Sequence, residues 1–225
     1  MKNFFDIFKF FLKIEWSNKE KFLASFILGL NVLIIFVFAF GEIESHVKQN
    51  AFFIAMLGIA MLFSCQAHLS RAWEQESQDH ALAALGRAYG RYFRLYVAKF
   101  LSCFLLLIVI NLPLLALATI LLPHSFGFAN INKIGVFMVL ALFGGCSIGV
   151  LLAALVNKAR SKQLLFTLIF FPLLTPVLVS FVFGALSLTA EDHAYLQWFQ
   201  LLGLFDMLYF ALGAALFCEL MEVSG

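Results

Sequence analysis

The stretch FLASFILGLNVLIIFVFAFG, residues 22–41, decides the fold of this 225-residue chain because it carries no charged side chain. A run of about 18 or more apolar residues is long enough to cross the hydrocarbon core of a bilayer as an α-helix. Lipid offers no hydrogen-bond partner to an open backbone, so such a run is stable in a membrane only with its backbone bonded internally. The stretch therefore predicts a transmembrane helix.

Five further apolar runs extend this pattern to the whole chain. Four contain no Asp, Glu, Lys or Arg, and a fifth is interrupted only by Asp206: 49–70, 100–132, 134–157, 163–190 and 196–218. Because 63% of the residues are hydrophobic and only 12% are charged, an ordinary soluble domain is excluded. We predict an all-α integral membrane protein, a single domain over residues 1–225. Its six spans are expected at 22–41, 51–70, 95–122, 134–156, 164–187 and 197–219.

The distribution of basic residues predicts the orientation of these spans. If the N-terminus is cytoplasmic, the cytoplasmic segments 1–21, 71–99, 156–163 and 219–225 hold thirteen of the fifteen Lys and Arg residues. The outside loops then hold only Lys48 and Lys133. Cytoplasmic loops of membrane proteins carry an excess of Lys and Arg. The sequence therefore predicts that both termini are cytoplasmic.

Residues 1–18 predict an interfacial helix on the cytoplasmic leaflet. On a helical wheel, the polar residues fall on one narrow face and aromatic or aliphatic residues fill the rest. Those polar residues are Lys2, Asp6, Lys9 and Lys13. Glu15 breaks the pattern because it falls on the apolar arc, between Phe8 and Phe11. Its carboxylate either has a partner, in lipid headgroups or another protein, or meets water at a frayed helix end.

Segment 71–93, between spans 2 and 3, carries a dense block of charge. Arg71 to Leu85 can form a short helix with polar groups along one side and a small apolar patch. The candidate docking residues are Glu74, Glu76 and Asp79 among the polar groups, with Leu82 and Leu85 in the apolar patch. The segment is long for a helix–helix connection, which favours docking on a protein partner over a merely solvated connector.

Prolines and glycines mark three of the spans. Pro113 predicts a kink in span 3, and Pro172 with Pro176 predicts a local break in span 5, because each proline removes one amide donor. Gly145 and Gly149 predict a close-packing face on span 4. The same glycines flank Ser147 in a G-x-S-x-G pattern. A hydrolase needs a histidine at the same depth, and the histidines lie at span ends or in loops.

Asp206 is the only acid deep in a predicted span. Placing it there costs a few kcal/mol on insertion scales, so it needs a partner or water. It is either a pathway or interface residue, or a structural acid that is hydrogen-bonded or lies at a shallow depth.

Several kinds of chemistry are missing from the sequence. No G-x-x-x-x-G-K-[ST] motif occurs, so the chain does not itself bind ATP through a P-loop. The four cysteines lie in apolar runs and form no CxxC. His46, His124 and His193 are isolated in outside loops, as solvated residues or as ligands for haem iron or another metal. We expect no catalytic residue, no resident metal and no nucleic-acid partner.

The order of these features resembles an ABC-2-type exporter permease, and more narrowly the CcmB family, the haem exporter permease subunit of cytochrome c maturation. The matching stretches are LKIEWSNKE (12–20), FVFAF (36–40), WEQESQDHALAAL (73–85), NKARSKQ (157–163), FFPLLTPVL (170–178) and LFDMLYFALGAALF (204–217).

This resemblance implies a location, partners and an output. The chain would lie in the bacterial inner membrane with a CcmA-like ATP-binding subunit and with CcmC- and CcmD-like proteins. A second permease copy and a periplasmic haem chaperone are further possible partners. The segment after span 2 would be the coupling helix that seats in a groove of the ATPase, and Glu15 with the acids at 74–79 would face that subunit. Asp206 matches the acid of the FD pair in the last span. Haem would be transported or handled, not firmly bound.

Two alternatives remain open from the sequence. The chain could be an ABC-2-type permease for a lipid, a polysaccharide or a drug, or a non-transporting scaffold that anchors other proteins at the membrane.

Overall fold

The computed structural model describes residues 4–39, 46–74, 76, 92–122, 127–157, 159, 161–189 and 194–224, and all of its regular structure is helical. Six of its helices are long and apolar enough to cross a membrane, and a shorter one precedes them. The all-α architecture with six spans is therefore confirmed. The helices are α1 (Phe4–Ser17), α2 (Lys19–Ala39), α3 (His46–Leu69), α4 (Tyr92–Leu121), α5 (Phe128–Val156), α6 (Lys162–Thr189) and α7 (Tyr195–Ser224).

Helix α5 forms the centre of the bundle. It packs against α3, α4, α6 and α7, and 78% of its most apolar stretch is buried, compared with 17% for α2. Helix α2 lies at the periphery, where it packs on α3 and α4. A helix that is surrounded on all sides needs small residues where its neighbours come closest.

Glycines of α5 provide these close approaches. Gly144 lies against the Asp206 carboxylate of α7, Gly145 against Leu174 of α6, and Gly149 against Leu69 of α3. The two glycines that the sequence singled out thus contact two different neighbouring helices, so they do not form one shared seam. Small residues at helix contacts let backbones approach closely in membranes.

Replacing Gly149 by alanine is expected to destabilise the bundle by about 1–3 kcal/mol, the usual cost of overpacking. The new Cβ would lie 3.1 Å from the Cβ of Leu69 and would also meet the end of that side chain. Thermal unfolding in detergent, followed with a thiol-reactive dye, measures the effect because Cys65, Cys103 and Cys146 are buried. Gly203→Ala is the matched control, since nothing lies within 4 Å of its added Cβ. Equal melting temperatures for the two variants would contradict this packing.

The prolines do not interrupt their helices. Helix α4 is continuous through Pro113, and α6 is continuous through both Pro172 and Pro176. The predicted break in span 5 is therefore wrong. Each proline removes a single donor, which leaves the rest of the helix ladder in place. Between the two prolines, the Tyr209 hydroxyl of α7 donates to the carbonyl of Leu173 over 2.5 Å, which ties α6 to α7.

The outer surface of the bundle is apolar. Large hydrophobic side chains are exposed on peripheral faces, for example Phe38 of α2 at 86%, Ile120 of α4 at 77% and Met207 of α7 at 78%. In water such patches would drive aggregation, whereas lipid accommodates them. The chain is a multi-pass membrane protein.

Candidate functional site

Helix α1 is fixed to the bundle by one stripe of side chains. Ile7, Phe11 and Glu15 are spaced four residues apart, so they lie on one face of the helix, and all three are buried. This helix packs against α4. The apolar arc on which the sequence placed Glu15 is thus the arc that faces the protein interior.

Glu15 finds its partners inside the same chain. Its carboxylate accepts bonds from the ammonium groups of Lys21 at 2.6 Å and Lys99 at 2.8 Å, and the His68 Nε2 atom lies 3.6 Å away. Burial alone would raise the pKa of Glu15, but the two lysines outweigh that effect and hold the pKa well below its ordinary value. The carboxylate is therefore ionised at neutral pH.

Lys99 connects Glu15 to the segment that follows α3. Its Nζ atom also donates to Glu76 Oε1 over 2.6 Å, and it lies over the rings of Phe11 and Trp73 at 5.1 and 5.2 Å from their centroids. We call Glu15, Lys21, His68, Glu76 and Lys99 the charge cluster. All five are buried. Its two carboxylates balance its two ammonium groups, as buried charges require.

Trp73 holds the same segment against the centre of the bundle. Its indole N–H donates to the carbonyl of Val150 in α5 over 2.9 Å. Its ring stacks on Phe217 of α7 at 5.3 Å and meets the edge of the Phe11 ring at 6.1 Å. Through Trp73 and Glu76, the start of segment 71–93 therefore contacts α1, α4, α5 and α7.

The structure divides the predicted coupling residues into two groups. Glu74 is exposed, as a docking residue must be. Glu15 and Glu76 are buried and bonded to lysines of the chain itself, which corrects the expectation that they lie on an ATPase-facing surface. The remaining predicted coupling residues lie outside the described residues: Asp79, Leu82 and Leu85.

One corner of the cluster has the donor types of a metal site. Glu15, His68 and Cys103 each place a potential ligand atom within 4.8 Å of the others, and such a mixed set suits a transition metal. However, the Glu15 carboxylate is already bonded to two ammonium groups. A divalent cation there would lie beside two positive charges. We therefore assign Glu15 and His68 to the charge cluster, with the Cys103 thiol donating a hydrogen bond to Glu15 at its edge. The histidines at 124 and 193, which the sequence predicts to lie in outside loops, are beyond the described residues, as is the side chain of the residue at 46.

Asp206 is buried near the middle of α7, against the backbone of Gly144. Its carboxylate lies within reach of the Gly144 backbone, and no side chain that the structure describes donates a hydrogen bond to it. A structural acid that is hydrogen-bonded to this backbone therefore stays among the alternatives that the sequence left open. A pathway or interface role stays a prediction.

The sequence indicated the acidic residues of this site but not its basic and aromatic residues. Glu15 was visible because a carboxylate on an apolar arc needs a partner. Lys21 and Lys99 looked like ordinary cations flanking a span, and Trp73 and His68 gave no periodic signal. Their convergence depends on how α1, α3 and α4 pack, which no local pattern encodes.

The described part of the chain thus combines six potential spans with a short amphipathic helix that packs against α4, an arrangement compatible with a membrane permease. The family model described as "CcmB protein" matches residues 2–224, so the chain belongs to the CcmB family. This membership supports the role of a haem-exporter permease in cytochrome c maturation. No curated protein matches the chain.

Proposed function

We propose that the protein is the permease subunit of a transporter complex in the bacterial inner membrane, driven by a separate CcmA-like ATPase subunit. Its output would be delivery of haem, or release of a haem-loaded periplasmic chaperone, with CcmC- and CcmD-like partners. The observation that carries the proposal is the Glu76–Lys99–Glu15 chain of ion pairs. This chain of ion pairs links two parts of the protein: the segment on which an ATPase would dock, and the helices that would move.

The charge distribution supports a cytoplasmic position for this end of the bundle. The charge cluster, the start of segment 71–93 and the α5–α6 turn all lie at the end that carries most of the Lys and Arg residues. An ATPase subunit is accessible only from that side. A cavity of about 410 Å³ opens there, and its lining includes Glu74, Arg71, Asn157 and Lys162.

The mechanism that we propose is mechanical. The ATPase subunit would bind the exposed side of segment 71–93 around Glu74. Its movements would pass through Trp73 to α5 and α7, and through Glu76 and Lys99 to α4 and α1. Rigid elements with packed side chains and ion pairs can carry such coupling. No covalent step on this chain is required.

Glu74→Lys is expected to abolish or strongly reduce co-purification of the ATPase subunit while leaving the permease folded. Glu74 is exposed, so the substitution disturbs no internal contact, and it reverses the sign of a charge at the proposed dock. The measurement is the ratio of ATPase to permease after affinity purification in mild detergent.

Glu219→Lys is the matched control, because Glu219 is also an exposed acid at the same end of the bundle, on α7. It should leave the ratio unchanged. An undiminished ratio in Glu74→Lys would contradict the proposed dock. Normal c-type cytochromes in a strain lacking the gene would instead favour a permease for another substrate.

A further inference from the structure

Helix α1 carries a second feature on the side away from its buried stripe. A groove of about 530 Å³ is lined by Lys9, Leu12, Lys13, Trp16, Ser17 and Lys19. The three lysines and Trp16 are exposed, and Trp16 retains 64% of its accessible surface. The groove lies where α1 ends and α2, the first span, begins.

The charges of this groove are not balanced. None of the described residues that line it is acidic, and Lys9, Lys13 and Lys19 form no ion pair with a described residue. This contrasts with Lys21, two residues after Lys19, whose ammonium group is bonded to Glu15. The groove therefore offers three ammonium groups, and the acids nearest to them in sequence, Asp6 and Glu20, lie outside its lining.

The floor of the groove is apolar, and its position matches a membrane border. Leu12 and Trp16 lie one helical turn apart between the lysines. Phe5 and Phe10 are also exposed on α1, and α2 begins after a single intervening residue. Tryptophan is enriched at the headgroup level of membranes, and lysines there attract anionic lipids.

We propose that this groove binds the headgroup of an anionic phospholipid. The phosphate would lie among Lys9, Lys13 and Lys19, and the first part of an acyl chain would cover Leu12 and Trp16. A basic residue at a membrane surface favours anionic lipid by about fivefold. The selectivity falls at high salt because the lysines are exposed. This site does not depend on the proposed transport function.

Quenching of Trp16 by brominated lipids tests the proposal with the full chain in vesicles. A Trp198→Phe background leaves Trp16 and the buried Trp73, which lipid does not reach. At equal mole fraction, brominated phosphatidylglycerol should quench at least about fivefold more effectively than brominated phosphatidylcholine. Replacing Lys9, Lys13 and Lys19 together by glutamine should remove the preference. Lys133→Gln, which removes an exposed lysine at the opposite end of the bundle, should not.

Equal quenching by the two lipids in the unaltered chain would overturn the proposal. A preference that survives the triple substitution would also overturn it. If the triple variant instead loses its ATPase partner while keeping the lipid preference, the groove is a protein-docking surface. Loss of ATPase binding in Glu74→Lys has no bearing on these outcomes, so the two proposals fail separately.

Discussion

Lys99→Met is expected to destabilise the protein by about 3–5 kcal/mol, the usual effect of removing one partner from a buried ion pair. Methionine has a similar length and is apolar, so the change mainly deletes the charge. Glu76 then loses its bonded lysine, and Glu15 retains Lys21, the more distant His68 and the Cys103 thiol. Two carboxylates would remain in the interior with one ammonium group. The measurement is the free energy of unfolding in mixed detergent micelles.

A second substitution separates lost charge balance from lost packing. Adding Glu76→Gln to Lys99→Met removes the unpaired carboxylate, so part of the stability should return, with a coupling of about 0.5–3 kcal/mol for contacting residues. Lys19→Met, at an exposed lysine near the same end, should change stability by less than about 0.5 kcal/mol. A double variant that is less stable than Lys99→Met would contradict the inference that the carboxylates and ammonium groups of the charge cluster balance each other.

Trp73→Ala is expected to destabilise the protein by about 3–5 kcal/mol, the range for deleting a buried aromatic side chain. The change removes the stack on Phe217 and the hydrogen bond to the Val150 carbonyl. It also removes a ring over which Lys99 lies. Because this side chain anchors the start of segment 71–93, the ATPase activity of the proposed complex should become independent of the permease. The readout is hydrolysis with and without the permease, beside thermal unfolding.

Two comparison variants make the Trp73 result interpretable. Trp73→Phe keeps an aromatic ring but loses the N–H donor, so its loss of stability should be smaller, about 1–3 kcal/mol. Trp16→Ala, at an exposed tryptophan of the same end, should leave the melting temperature nearly unchanged. If the Trp73→Ala and Trp16→Ala variants have the same melting temperature, Trp73 does not anchor the start of segment 71–93.

The spans could be predicted because their signal is local. A run such as 134–157 must form a helix in lipid whatever surrounds it, and helix α5 over Phe128–Val156 contains nearly all of that run. The helix break predicted at Pro172 and Pro176 was wrong because its signal is not local. Whether a helix tolerates a missing donor depends on its neighbours, and the neighbours of α6 at this level are distant in sequence: Tyr209 and Leu173, which are hydrogen-bonded, are 36 positions apart.

The charge cluster could be predicted only in part, for the same reason. Glu74 and Glu76 are two residues apart and have the same side chain, so the sequence does not distinguish them. In the structure, Glu74 is exposed and Glu76 is buried. Two positions along a helix differ by about 200°, so one face cannot hold both. Glu76 faces inward because α4 places Lys99 beside it, and Lys99 lies 84 residues after Glu15 along the chain.

The most direct test of transmission through Lys99 is the yield of c-type cytochrome in cells that carry Glu76→Gln in place of the native gene. Glutamine keeps the shape and an acceptor oxygen but loses the charge that bonds Lys99. We expect the proposed ATPase subunit to co-purify at the normal ratio while the holocytochrome yield falls about tenfold. Glu219→Gln, at the exposed acid of the same end, should support a normal yield. A normal yield in Glu76→Gln at equal permease level, or loss of the ATPase subunit, would contradict a transmitting role for this buried ion pair.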